Sequence, residues 1–412
     1  MDKDGNVTGT QYTILDKESA VKYVNSCPEV SHLFLPDESL SCAEIGDGNL
    51  NSVFVVFSAD EPRRSILIKQ ALPYMRRFTD EKLSIERAFF EAAYYQQVSA
   101  ISPEYIPAFY LYDENMAVLA MENLDRHQVL RAGLISRNKY PLLADHMANF
   151  LAKVLFFTSD FHQDSRVKKE EVGRLINPEM CLVTEYAVFN EAYIADAKDN
   201  FWNPLLDGMV QDIRSDSELI SHVREMEYIF RTKAQALIHG DLHTGSIMVN
   251  DNDTRVIDPE FCFYGPMGFD LGALLGNYLL NFASQQYRIE ADQERSDYQA
   301  YLVGLINGTW RIFEKAFRKM WLDERNAQLV PDAFMDRFFR DLLQDTAGFA
   351  GCKMIRRIIG SAHVDDLDGI EDTEKQAHAM QSGLQMGIQL LEKRREINNI
   401  DDLMAVIGLP SR

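Results

Sequence analysis

No apolar run in this sequence approaches the roughly 20 residues that a membrane-crossing helix requires. The best stretch, Phe150 to Phe157, is short and contains Lys153, so no membrane partner is expected. Cysteine is sparse: Cys27, Cys42, Cys181, Cys262 and Cys352 are scattered, odd in number and form no Cys-x-x-Cys pair. That argues against a disulfide framework and against a zinc ribbon, and fits a reducing compartment. The first residues, Met1-Asp2-Lys3-Asp4-Gly5-Asn6, lack the basic segment and apolar core of a secretory signal, and a cytoplasmic location is the expectation. Internal repeats and Pro/Gly/Ser-rich linkers are missing too. Basic residues are outnumbered, 42 Lys+Arg against 63 Asp+Glu, for a formal charge of −21. Nucleic acid is therefore not an expected partner, because phosphate backbones attract basic surfaces. A small anionic ligand needs only a local positive cluster and is not excluded.

What is present is an ordinary globular mixture, 46% hydrophobic and 25% charged, which rules out wholesale disorder. A chain of 412 residues exceeds what one hydrophobic core usually serves, so two domains are expected. Val53–Phe57 and Ser65–Lys69 read as strands around the breaker Asp60-Glu61-Pro62-Arg63-Arg64. Residues 80–98 lack breakers and read as a helix, and Ala117–Met121 as a short buried strand. Beyond it helices dominate, except at Ala236–Ile257, where three short apolar runs sit between polar loops. The expectation is an α+β chain, with a small β-rich part at residues 1–122 and a large, mainly helical part at residues 123–412.

The densest chemical signal is His239-Gly240-Asp241-Leu242-His243-Thr244-Gly245-Ser246-Ile247. An apolar strand delivers polar residues into a loop, and a hairpin follows. Asp241 precedes the hairpin and Asp258 of Asp258-Pro259-Glu260 follows it, so antiparallel pairing brings the two carboxylates to one end. Phosphoryl transfer needs that pairing: one carboxylate orients the attacking hydroxyl and takes its proton, while the other fixes a metal against the phosphates. Two turn aspartates are the plain alternative, but turns do not require the flanking His, Gly and Pro. A metallohydrolase reading of His-x-Asp-x-His is disfavoured because no other His, Asp or Glu has ligand-like spacing.

Upstream, Gly46 and Gly48 lie in Glu44-Ile45-Gly46-Asp47-Gly48-Asn49-Leu50-Asn51 between strand-like runs, where bare backbone N–H groups can approach a phosphate. No Gly-Lys-Ser/Thr follows, so this is not a Walker A loop. Lys69 is the one basic residue on an apolar strand and needs a charged partner or an escape to solvent. Glu81, Glu86 and Glu91 on the expected helix are candidates for that partner, and periodicity does not choose among them. Asp270, amid apolar residues, reads either as a clamp accepting loop N–H groups or as a helix N-cap. Arg356 and Arg357, flanked by Met and Ile, suit an oxygen-rich ligand; stabilisation of a helix end with Gly360 at C′ is the alternative. Trp310, Phe313, Phe317 and Trp321 recur at helical spacing and read as core, and His363 and His378 as core or surface histidines.

Taken together, Glu44–Phe54, His239–Ile247, Asp258–Gly272 and Cys352–Val364 resemble the 5-methylthioribose kinase family of the aminoglycoside-phosphotransferase and protein-kinase-like superfamily, in order and spacing across nearly the whole chain. The resemblance implies a bilobal kinase-like fold whose inter-lobe cleft is the active site. It further implies ATP as co-substrate with Mg²⁺, a homodimer, and phosphorylation of the C1 hydroxyl of 5-methylthioribose to the 1-phosphate in methionine salvage. Carried onto this chain, Asp241 is the catalytic base and contacts the substrate; Asp258 and Glu260 reach the metal and triphosphate, with Pro259 between them. Lys69 pairs with the phosphates, and the resemblance favours Glu91 as its partner. Asn49 and Asn51 belong to the phosphate-covering loop, Glu122-Asn123-Leu124 offer backbone groups to adenine, and Arg356 and Arg357 bind the substrate. Ser246 stands where protein kinases carry a metal-binding Asn and is a weaker ligand, and the glycine loop has no third glycine. A related kinase acting on choline, homoserine or an aminoglycoside is the alternative, although Arg356 and Arg357 have the wrong sign for a cationic acceptor. A pseudokinase is disfavoured because lysine, base and metal carboxylate are all present.

Overall fold

The computed structural model describes residues 12–45, 50–74, 82–324 and 331–410. Two compact units emerge: one is the chain to His127 together with Asp258–Phe261, the other Gln128–Ile257 and Cys262 onward. The Asp-Pro-Glu-Phe segment thus belongs with the first unit, an excursion that a division at one point in the sequence does not contain.

The first unit is built on an antiparallel sheet of order β1-β2-β3-β5-β4, from β1 (Leu40–Ile45), β2 (Asn51–Ser58), β3 (Ser65–Ala71), β4 (Phe109–Asp113) and β5 (Val118–Glu122). The period of two in a strand sends Phe54, Val56, Ile66, Ile68, Val118 and Ala120 to one face. There they form a core with Ala20 and Val24 of α1 (Lys17–Ser26). The same alternation turns Lys69 to the opposite face, in register with Val53 on one side and Leu119 on the other. Helix α2 (Arg87–Ile101) lies later than the expected 80–98, with Glu86 at its N-cap. It stops where Pro103 disfavours helical geometry for Ser102.

Long helices dominate the second unit: α3 (Leu143–Phe157), α4 (Met267–Arg288), α5 (Asp292–Asp323), α6 (Asp332–Ile359) and α7 (Thr373–Glu392). Helix α4 packs on α6 and α7, and α5 on α3. Trp310, Phe313, Phe317 and Trp321 are buried, and Phe317 meets Phe156 and Phe339 edge to face. Two small sheets hold the polar loops: β6 (Gln128–Val129) pairs with β8 (Ile247–Val249), which pairs with β9 (Thr254–Val256), and β7 (Ala236–Ile238) pairs with β10 (Phe263–Gly265). The hairpin is where the sequence puts it. β6 and β10 are too short to show a period. All five cysteines are free, and no helix among the described residues is long and apolar enough to cross a membrane.

Gly268, Gly272 and Gly276 recur every fourth residue on α4 and let it approach α6 closely. A Cβ on Gly272 would lie 2.6 Å from the Thr346 carbonyl oxygen and 2.8 Å from the Ala350 nitrogen, both backbone atoms. Gly272→Ala must therefore push the helices apart, and overpacking of this kind costs about 1–3 kcal/mol. The cost should appear as a lower denaturant midpoint in urea unfolding.

Candidate active site

In the first unit a buried lysine is surrounded by acids. Lys69, 4% exposed, donates to Glu91 Oε1 at 2.9 Å and to Asp258 Oδ1 at 2.7 Å. Glu91, itself buried, is therefore the α2 carboxylate that meets the lysine; Glu86 is exposed at the helix cap, and Glu81 lies outside the described residues. Burial alone would lower the lysine's proton affinity, but Asp258, Glu91 and Glu260 outweigh it and hold the ammonium charged. Asp258 has φ +61°, a left-handed conformation that costs free energy in a residue other than glycine. Its N–H donates to the Tyr95 hydroxyl at 3.2 Å, and about half of its side chain stays accessible.

Glu260 is secured separately, by Arg87, a residue the sequence reading did not single out. Arg87 Nε donates to Glu260 Oε2 at 3.1 Å. Its Nη1 donates to Leu72 O and Ser84 O, and its Nη2 to Leu50 O and Asn51 Oδ1. All five guanidinium N–H groups are thus used, which makes its 1% exposure tolerable. Asn51 Nδ2 donates to Glu260 Oε2 at 3.1 Å, so its amide joins Arg87 and Glu260. Arg87 is legible in retrospect as a cation one turn before Glu91 on the same helix. Pro259 is buried; Gly46, Gly48 and Asn49 lie outside the described residues. At the end of β5, Glu122 Oε2 accepts from Ala108 N–H, Asn123 Nδ2 donates to Ser65 Oγ, and Leu124 O accepts from His127 N–H.

The second unit holds the His239–Ser246 loop. Gly240 adopts φ +83°, which a glycine takes without a Cβ penalty. Asp270 accepts the N–H of His239 (2.6 Å) and of Gly240 (3.0 Å). It sits within α4, whose N-cap is Pro266, so it is a clamp on the loop and not a cap. His239 accepts the Asp241 N–H at Nδ1 and faces Ile257 O through Nε2 at 2.8 Å. Both its ring nitrogens are thus engaged, one within the loop and one on Ile257, so His239 serves to hold the loop. Ser246 Oγ accepts from His243 N–H and lies 2.9 Å from both Asp241 O and His243 O. Its hydroxyl therefore already serves the turn.

Asp241 is the point where this loop meets α6. Its Oδ1 accepts from Lys353 Nζ at 3.0 Å, and its Oδ2 lies 3.2 Å from His243 Nε2. His243 Nδ1 accepts the Gly245 N–H at 2.8 Å, so the ring proton sits on Nε2 and points at Asp241. Burial alone would raise the Asp241 carboxyl, but Lys353, His243 and Arg357 overcome it and hold it well below the usual carboxylate range. Burial pushes His243 down to about 4 against the pull of Asp241. Arg356 and Arg357 follow Lys353 by three and four residues and lie on the same side of the helix. Their Nε atoms are buried with no hydrogen-bond partner among the described residues. Both arginines lie in the last turn of α6, whose C-cap is Gly360 in extended backbone, so stabilisation of the helix end fits their placement as well. Lys353 stands inside the segment that drew attention to the arginines, and the i, i+3, i+4 spacing was the signal that could have named it.

This chemistry can be set beside known proteins. The phosphotransferase enzyme family matches residues 41–311. The chain is similar to methylthioribose kinase 1 of Oryza sativa subsp. japonica, 38% identical over 406 residues, which cover 95% of this chain and 94% of the relative. It is also similar to the methylthioribose kinase of Geobacillus thermodenitrificans (strain NG80-2), 40% identical over 373 residues covering 90% and 91%. A crystal structure of choline kinase from Cryptosporidium parvum Iowa II is similar at 15% identity with a TM-score of 0.49, covering 92% of this chain and 99% of that one. The chain belongs to the phosphotransferase enzyme family and, within it, to the methylthioribose kinases.

The His243 environment has a consequence for pH. Folded His243 resists protonation down to about 4, whereas the unfolded chain takes that proton near 6.5. The unfolded state thus binds more protons in that window, and stability falls as pH drops through it, by about 3 kcal/mol at its lower end. His243→Gln keeps a donor for Asp241 and removes the titration. Its unfolding free energy should decline less steeply than the parent's between about pH 6.5 and 4, measured by urea unfolding at each pH.

Proposed function

We propose that this protein transfers the γ-phosphoryl group of ATP to the C1 hydroxyl of 5-methylthioribose. The observation that carries the choice of acceptor is similarity to methylthioribose kinases over nine-tenths of the chain. The chemistry of the two clusters supports it. In this proposal the first unit serves the nucleotide: Lys69, fixed by Glu91, pairs with phosphate oxygens, Glu122-Asn123-Leu124 hold adenine, and the segment carrying Asn49 and Asn51 covers the triphosphate. The second unit serves the acceptor through Asp241, Arg356 and Arg357. Mg²⁺ takes oxygen ligands almost exclusively and is held by one or two carboxylates plus substrate phosphates. Asp258, half accessible, and Glu260 are donors of that kind, and the Ser246 hydroxyl is a weaker one. The ion would draw charge from the phosphates. A cytoplasmic homodimer completes the proposal, and five free cysteines fit a reducing compartment.

The reaction forms a bond between the C1 oxygen and the γ-phosphorus and breaks the bond from that phosphorus to the β,γ-bridging oxygen, releasing ADP. The hydroxyl proton goes to Asp241. A carboxylate held far below the usual range is a weak base, so early deprotonation is not its main contribution. Its part is to orient the hydroxyl and to take the proton once the new O–P bond has made that oxygen acidic, as a loose transition state permits. The positive charge of Arg356 and Arg357 on α6 suits an oxygen-rich acceptor and disfavours the cationic choline or an aminoglycoside.

Incubation with ATP and methylthioribose should give ADP and methylthioribose 1-phosphate, identified by phosphorus NMR, with choline, homoserine and an aminoglycoside as comparison acceptors. Preference for an amine acceptor would overturn the reading. Asp241→Asn should keep ATP affinity while lowering kcat by about 10²–10⁴-fold.

A further inference from the structure

Among the described residues Lys353 is the cation hydrogen-bonded to Asp241, and its surroundings are not those of an incidental surface pair. It is 4% exposed and lies in the last two turns of α6, with its Nζ 4.4 Å from the centre of the Phe269 ring. A lysine in such a place loses most of its hydration, and one carboxylate oxygen at 3.0 Å replaces part of it. The face of the Phe269 ring adds a cation–π contact. Asp241, in contrast, keeps about a quarter of its side chain accessible. The lysine therefore stands behind the carboxylate, on the buried side, and leaves the accessible side free. His243 Nε2–H approaches the other oxygen. With a donor on each oxygen the plane of the carboxylate is set, while lone pairs remain for a third partner.

We infer that Lys353 is a positioning residue for phosphoryl transfer, its ammonium fixing Asp241 Oδ1 from the buried side so that the ionised carboxylate presents its remaining lone pairs to the acceptor hydroxyl. This rests on the function proposed above. The charged groups that act on Lys353 are Asp241 on the loop, Asp270 on α4, and Arg356 and Arg357 on its own helix. Burial pulls the lysine down to about 8, with Asp241 opposing and the two arginines reinforcing the fall. The ammonium is thus the main form near neutrality, and the positioning contact is lost as pH rises through that value.

The test uses Lys353→Gln, which keeps a donor of similar reach without the charge, and Lys353→Arg, which keeps the charge. Four quantities are measured: melting temperature, ATP affinity, the kcat and KM for methylthioribose across pH 6–10, and crystal structures of the parent and the Gln variant. The inference expects Lys353→Gln to fold and bind ATP like the parent, to lose about 100-fold or more in kcat, and to show Asp241 displaced. Lys353→Arg should recover most of that loss, and the alkaline fall of kcat near pH 8 in the parent should move upward by about one unit or more, since a guanidinium stays charged. A folded Lys353→Gln with near-parental kcat, or one with its Asp241 carboxylate unmoved, overturns the inference. If the parent phosphorylates no methylthioribose, the choice of acceptor fails, and the position of Asp241 in the two crystal structures still decides the role of Lys353.

Discussion

Burying an ionised side chain costs several kcal/mol unless a counter-charge and hydrogen bonds replace the lost water. Both buried charge clusters of this chain are solutions to that constraint. Lys69 sits on the apolar sheet of the first unit because two carboxylates, from α2 and from the Asp258 segment, meet it there. Asp241 sits in the second unit because an ammonium and an imidazole N–H meet it. Remove either set of partners and the charge has no reason to stay ionised. The folds around them, a sheet carrying α2 and a loop anchored to α4 and α6, can be understood as the means of bringing those partners to fixed places.

The two solutions differ in how the partner is delivered. In the first unit the lysine comes from a strand, where alternation decides its face, so shifting β3 by one register step would send Lys69 into the apolar core. Pairing with β2 and β5 on both sides prevents such a slip. In the second unit nothing regular positions Asp241. Its loop is held by individual contacts: Asp270 takes two N–H groups, His239 bridges to Ile257, and Ser246 closes the turn. Each contact is made by a side chain that cannot be replaced by a packing partner, which explains why so short a segment carries so many polar residues.

That difference also decides what could be read from the sequence. Elements whose formation follows from local periodicity were legible: β2 and β3, the short strand before Glu122, the hairpin after Ser246, the aromatic stripe of α5. Motif residues were legible where chemistry is concentrated in one stretch, as in His239–Ser246. Partnerships across long separations were not. Arg87 and Glu260 are 173 positions apart, and Lys353 and Asp241 are 112 apart; no local pattern in either segment announces the other. Periodicity alone could not choose among Glu81, Glu86 and Glu91, because it shows which residues share a face but not which residue on another element that face will meet; the resemblance favoured Glu91, and it is Glu91 that meets Lys69. Residues 258–261 carry the same lesson at the scale of a segment, since only contacts show that they join the first unit.

The net charge of −21 looks unpromising for a protein whose proposed substrates include a highly charged anion, yet the conflict is only apparent. Exposed charges act through water and salt and fade within about a Debye length, roughly 8–10 Å, whereas buried charges act at short range with little screening. On α6 the order is the reverse of the global one: Lys353, Arg356 and Arg357 lie within five residues, and Asp241 is the carboxylate bonded to their side of the helix. The buried Nε atoms of both arginines have no partner among the described residues, and an unsatisfied buried donor costs about 1–3 kcal/mol. Helix α6 thus concentrates positive charge that, in the proposed function, meets an oxygen-rich acceptor at short range, where the screened acidic exterior does not cancel it.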